Sequence, residues 1–237
     1  MATVTRKPFQ GITNIIRFNW HFYVIAVVLS LLFIWVNMIA VYLILAGTLS
    51  SLFVSWYIYD HSHLYSLNWI NNIQPEQMIN IHAGFDETST LLAARYPKAQ
   101  LTVFDFYDPA LHTEVSVKRA RKAYLPYPGT QSIRTDNVPL ADDTADVIFL
   151  LFAAHEIRNQ TEREVFFSQL KKALKPGGCI IIAEHLRNPL NFLAYNFGFF
   201  HFFSRNTWEQ TFAKTGLSIR AESTITPFIT TYILAEC

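Results

Sequence analysis

Glycine is scarce where a nucleotide-binding enzyme would concentrate it. The chain has 8 glycines in 237 residues, and the stretch Asn80 to Ser89, NIHAGFDETS, holds one of them beside two carboxylates. Cysteine is scarcer. Cys179 and Cys237 are far apart, match no metal or disulfide spacing, and suit a reduced, intracellular setting. An excess of either charge is also missing. Nineteen Lys and Arg against eighteen Asp and Glu leave a net charge of +1, which gives no support to a nucleic-acid partner. Internal repeats and low-complexity tracts are absent. The length suits one domain of ordinary size plus an additional segment.

Charged residues are missing altogether from Phe18 to Tyr59, a run of 42 residues. One membrane span takes about 20 apolar residues, so this run holds two. Asn37, near its middle, is the natural place for a tight turn. The N-terminal segment, residues 1–60, is therefore expected to form a transmembrane hairpin with spans at about 18–36 and 39–59. A cleavable signal peptide fits poorly, because its apolar part would be about 7–15 residues and nearer the terminus. A buried soluble hairpin would need a large apolar partner surface. Arg6, Lys7 and Arg17 precede the run with no acidic residue among them, which predicts a cytoplasmic N-terminus. Two spans return residues 61–237 to the same side. Trp20, Tyr23, Trp35, Trp56, Tyr57 and Tyr59 cluster toward the expected helix ends, as interfacial aromatics do. A lipid bilayer is thus an expected partner, while the oligomeric state is left open.

Beyond a connector at 61–75 the pattern changes. QMINIHA reads as a strand, followed by a helical ETSTLLAARYP. AQLTVFDFY is a second strand, followed by a helical HTEVSVKRARKAY. A third strand lies near QSIRTD, and the very apolar ADVIFLLFAA is a fourth. TEREVFFSQLKKAL reads as an amphipathic helix stopped by KPGG. CIIIAEHL is a fifth strand, NTWEQTFAKTG a last helix, and LSIRAES and FITTYILAE are two more strands. Strands alternating with helices imply an α/β fold with a doubly wound, mostly parallel, seven-stranded sheet over residues 76–237. Two final strands without a helix between them imply an antiparallel pair.

In such a sheet ligands bind outside the carboxyl ends of the strands. A dinucleotide pyrophosphate needs several glycines and a helix N-terminus free of anions. Here Asp86 and Glu87 stand in that position, so NAD and FAD are disfavoured. A ligand carrying an ammonium and a sulfonium, such as S-adenosylmethionine, would instead be attracted. Simple helix capping by Asp86, with Glu87 in the first turn, explains the same residues. Asp105 ends the second strand 21 residues after Gly84, a spacing at which a carboxylate accepts ribose hydroxyls. Asp136 ends the expected third strand, where it or Asn137 could meet an adenine amino group. Each alone could be a solvated turn residue.

Two longer segments, VPLADDTADVIFLLFAAHEI and LKKALKPGGCIIIAEH, carry a family resemblance. With the order of elements, they resemble the class I S-adenosylmethionine-dependent methyltransferases, particularly the branch serving quinone and sterol biosynthesis. The resemblance covers roughly residues 76–237. It implies that Asn80, His82, Gly84 and Phe85 form the first cofactor loop. It also implies that Asp105 and Phe106 form the ribose site, and Asp136 and Asn137 the adenine site. The departures fall in the first loop. The family's acidic residue is Asn80, its first glycine is His82 and a later glycine is Asp86.

Methyl transfer is an in-line displacement, so the protein must mainly position the acceptor, with a general base where a proton has to leave. His155 and Glu156 past the fourth strand, and His185 past the fifth, are the candidates. Each has a packing or network alternative. No His, Asp or Glu cluster shows ligand spacing, so no metal is expected. Residues 191–208, NFLAYNFGFFHFFSRNTW, contain seven Phe or Tyr and one charge, Arg205. That insert suits either a core helix or a hydrophobic small-molecule acceptor. VKRARK, 117–122, reads as a solvated helix face or a contact for anionic lipid. The expectation is a membrane-anchored methyltransferase acting on a lipid-like acceptor. The alternative is a non-catalytic membrane scaffold that has lost the cofactor.

Overall fold

A computed structural model describes residues 6–70, 73–112 and 114–236. Residues 1–5 of the N-terminal segment, 71–72 of the connector, Thr113 in the second expected helix and Cys237 lie outside the described residues. The strands are β1 (Gln77–His82), β2 (Gln100–Asp105), β3 (Gln131–Ser132), β4 (Ala145–Leu151), β5 (Leu174–Glu184), β6 (Leu217–Thr226) and β7 (Ile229–Glu236). They form one sheet in the order β3-β2-β1-β4-β5-β7-β6. β1 to β5 pair in parallel, and β7 lies antiparallel between β5 and β6.

The helices are α1 (Gln10–Phe33), α2 (Met38–Trp56), α3 (Ser89–Arg95), α4 (Val115–Ala123), α5 (Gln160–Ala173), α6 (Pro189–Tyr195) and α7 (Arg205–Lys214). β4 is apolar apart from Asp146, and both of its faces are covered. Ile148 and Leu150 pack with Phe166 and Phe167 of α5 and Trp208 and Phe212 of α7. Val147, Phe149 and Leu151 point the other way, into a second core with Ile58, Leu64, Leu67 and Ile70. The expected connector is therefore part of the sheet's covering layer. Truncating a fully buried Phe such as Phe149 to Ala would cost about 3–5 kcal/mol.

Two sheet details differ from the sequence reading. The third strand shrinks to two exposed residues, Gln131 and Ser132, so Asp136 and Asn137 lie in the turn beyond it. KPGG does not stop a helix, since α5 ends at Ala173 and β5 runs through these residues. Gly178 sits where the β4–β5 register shifts, and a Cβ there would lie 2.9 Å from the Ala145 and Lys175 carbonyl oxygens.

The apolar run forms a helical hairpin, both helices long and apolar enough to cross a membrane. α1 starts earlier than expected because a distant residue caps it. Asp60 accepts hydrogen bonds from the Gly11 and Ile12 amides, each 2.7 Å. Asn37 turns the chain, its side chain accepting from Ala40 N at 3.1 Å. α1 bends at Asn19, where φ is −114° and ψ is 18°. Below the bend Asn14 and Phe18 are buried against Tyr124 and Phe85 of the α/β part, and Gly11 against Tyr59 and Asp60. Above it most side chains face outward, Leu32 being 66% exposed. α6 and the 3₁₀ turn Asn196–His201 dock on α2. Ser50 Oγ donates to Leu193 O at 2.9 Å, and Asn196 Nδ2 donates to Gly47 O at 3.2 Å.

Candidate active site

The loop after β1 folds around its own polar groups. Asn80 donates to Ser89 Oγ at 2.8 Å and to Thr88 Oγ1 at 3.2 Å. Asp86 Oδ1 accepts from the Thr88 and Ser89 amides, both at 2.9 Å, so it caps α3. Gly84 has φ +95°, and a Cβ there would lie 2.8 Å from the Tyr107 ring. His82 Nδ1 accepts from Gly84 N at 3.2 Å, which places the proton on Nε2. Burial lowers the His82 pKa despite nearby Asp105 and Asp86, so the ring is neutral. Its Nε2, together with Asn80 Oδ1 and Asp86 Oδ2, is buried without a partner.

Glu87 is not in a helix turn. It is held by Arg6 at 2.8 Å, Tyr65 OH at 2.7 Å and Asn14 at 3.4 Å. Phe85 packs edge-on against Phe18 and tilts against Tyr124. These contacts draw the lower turns of α1 over the loop. They border a half-open cavity of about 250 Å³ lined by His82, Phe85, Phe18, Ala120, Phe152 and His155.

Asp105 does end β2, yet it is occupied. One carboxylate oxygen accepts from Tyr107 N at 2.9 Å and the other binds Arg121 Nη1. Arg121 also donates to Gly84 O at 3.2 Å and stacks over Tyr107. Phe106 is buried against Phe166 and His112, and belongs to the core. Asp136 pairs with Arg134 at 2.6 Å on the surface, and Asn137 bridges to the Arg134 backbone. The first loop and Asp105 thus lie together, His82 Nδ1 being 3.6 Å from Asp105 Oδ1, while Asp136 is engaged by Arg134.

Past β4, His155 and Glu156 line the cavity. His155 Nδ1 donates to the fully buried Glu184 at 2.7 Å. Burial alone would lower the His155 pKa, but Glu184 and Glu156 outweigh it and push it up to about 10. Glu156 Oε1 lies 3.4 Å from His155 Nε2 and 3.2 Å from His201 Nε2. Burial would raise the Glu156 pKa, but its bonds to the two imidazoles hold it well below the usual carboxylate range. His185 is placed differently. Its Nδ1 donates to Phe228 O at 2.9 Å, leaving Nε2 to accept from Tyr59 OH at 3.0 Å. Both nitrogens are engaged, and the ring lies between Phe152 and Phe202 outside the cavity lining.

Arg121, Tyr65, Asn14, His201 and Glu114 escaped sequence reading. His201 was submerged in the aromatic insert, and Glu114 lies 3.3 Å from its Nδ1. Contrary to the expectation of no metal-ligand cluster, the fold brings ligand atoms of His155, Glu156 and His201 within 4.8 Å of one another.

Residues 80–182 match the family model of a methyltransferase domain. The α/β part of this chain has the fold of the class I methyltransferases. The chain is 27% identical over 119 residues to a ubiquinone/menaquinone biosynthesis C-methyltransferase of Syntrophotalea carbinolica, covering 48% of this chain and 46% of that protein. It is 28% identical over 109 residues to the same enzyme of Geotalea daltonii, covering 46% and 45%. The match thus spans just under half the length of these relatives. The methyltransferase fold is shared with human N-acetylserotonin methyltransferase, solved in complex with S-adenosylmethionine. That likeness has a TM-score of 0.56 at 15% identity, over 80% of this chain and 56% of that one.

S-adenosylmethionine is the cofactor this class implies. The loop after β1 offers unpaired acceptors for its cationic amino-acid end, the buried Asn80 Oδ1 and Asp86 Oδ2. The site does not fit the ribose end as it stands, because Arg121 holds Asp105.

Proposed function

We propose that the chain is a membrane-anchored, S-adenosylmethionine-dependent methyltransferase acting on a hydrophobic, lipid-like acceptor such as a prenylated aromatic, polyene pigment or phospholipid. The observation that carries this reading is the double contact of the segment Pro189–His201. It docks on α2 through Gly47 and Ser50, and it reaches the cavity wall through His201 and Glu156. Its Leu193, Phe197 and Phe200 remain exposed beside the equally exposed hairpin. A greasy acceptor could pass from a bilayer to the cavity along that surface without crossing water.

The flanking charges support a cytoplasmic methyltransferase domain. Arg17, Arg119 and Lys122 gather beside Trp20 at the foot of the hairpin, where they would meet lipid headgroups. The name borne by the relatives makes a prenylated aromatic ring the first acceptor to test. The cofactor, when bound, supplies an electrophilic methyl group. The chain's own contribution is to hold the acceptor in line with it in the cavity roofed by α1. His155 and Glu156 are the polar groups on the wall that an acceptor oxygen would meet.

The second reading, a scaffold without cofactor, is favoured by the capture of Asp105 by Arg121. Calorimetry with S-adenosylmethionine on the detergent-solubilised chain separates the two. The expected result is binding by the wild type, and roughly 5–20-fold tighter binding by Arg121→Ala, because Asp105 is released. Absence of heat from both proteins at millimolar cofactor would overturn the enzyme reading.

A further inference from the structure

Five side chains from four separate parts of the chain meet beside the cavity, and Glu114, His155 and Glu156 among them line its wall. Glu184 ends β5, His155 and Glu156 follow β4, His201 closes the insert, and Glu114 precedes α4. We propose that His155, Glu156 and His201 bind a divalent transition-metal ion, zinc being the ion the donor set suits best.

The argument is geometric. Both histidines turn Nε2 toward the same Glu156 oxygen, at 3.4 and 3.2 Å. These separations exceed the 2.7–2.9 Å usual for a charge-assisted N–H···O bond. They match the edge, about 3.3 Å, of a tetrahedron whose arms are about 2.0–2.1 Å, the bond length of zinc to imidazole and carboxylate. The outer nitrogens follow the pattern of metal-bound histidine, in which the second ring nitrogen is oriented by a carboxylate. His155 Nδ1 is hydrogen-bonded to Glu184 at 2.7 Å, and Glu114 stands in looser ionic contact with His201 Nδ1, at 3.3 Å. His155 is therefore held with Nε2 inward, and His201 turns its Nε2 to the same oxygen.

Two imidazoles and one carboxylate leave a fourth position free, as in catalytic zinc sites. That position opens toward the cavity, since His155 and Glu156 both line it. The ligand it would take there is an oxygen atom, such as a phenolic or enolic oxygen of the acceptor. The acceptor role rests on the proposed function, whereas the ion site stands on the five side chains alone.

The test uses the full-length, untagged chain in detergent, stripped with a chelator that is then removed. It is titrated with zinc chloride and, separately, with cobalt chloride. The expected result is one equivalent bound and visible cobalt bands of a four-coordinate site. Glu156→Gln and His201→Ala should weaken zinc binding by more than about 100-fold, and Glu114→Gln by roughly 10–100-fold. Should His201→Ala fail to fold, Glu114→Gln decides, because it removes no ligand. Overturning results are no stoichiometric binding, unchanged affinity in the variants, or loss of binding in Cys179→Ser. The first would leave the five groups as a hydrogen-bond network. Unimpaired cofactor binding with no zinc site would overturn this proposal while sparing the methyltransferase reading.

Discussion

His185 is enclosed by Phe152, Tyr195 and Phe202, with both ring nitrogens engaged. Burial, with His155 nearby, pushes its pKa down to about 4 despite the Phe228 carbonyl. The unfolded chain takes up this proton near pH 6.5, so it binds more protons than the folded chain below that pH. Stability from this group is therefore full above about pH 6.5 and falls as the pH drops toward 4, by up to roughly 3 kcal/mol. Urea melts at pH 7.0 and 4.5 check this against His185→Gln, which should lose less on acidification than the wild type. Equal losses would show that other groups carry the acid sensitivity. At this scale the sequence was informative about position and silent about occupancy. Asp105 stood where its spacing placed it, yet Arg121 reaches it only because α4 folds back over the β1 loop. His201 offered no local signal, because its partners lie 45 and 87 residues away in the chain.

Elements that depend on local pattern were easier to read than those set by distant partners. The charge-free run located both helices of the hairpin, but α1 begins at Gln10 because Asp60 caps it across the hairpin. The third strand is short because it has one neighbour, β2, and two paired residues. The docking of α6 on α2 was illegible, since it rests on a glycine. A Cβ on Gly47 would lie 2.9 Å from Asn196 Oδ1. Gly47→Leu should therefore displace the Asn196 side chain from Gly47 O and loosen this docking, at a cost of about 1 kcal/mol. For a chain of this size that is a fall in Tm of roughly 2–4 °C per kcal/mol in a detergent thermal scan. An unchanged Tm would mean that α6 is held elsewhere.

The whole molecule joins a methyltransferase fold to an apolar hairpin whose lower turns roof the cavity. The alternation of strands and helices made the α/β architecture readable, including the antiparallel final pair. The roof was not readable, because it depends on Phe18, Asn14 and Arg6 meeting residues more than sixty positions later. On the proposed function this union places the cavity at a bilayer surface, fed by the Pro189–His201 segment. The direct test is methyl transfer itself. The full-length chain in lipid vesicles is incubated with methyl-labelled S-adenosylmethionine and a prenylated aromatic acceptor, and the organic extract is assayed. The proposed function predicts label in the apolar extract that depends on the protein and increases in Arg121→Ala. Label no higher than in protein-free vesicles, with the acceptor and with host lipid extract alike, would contradict it.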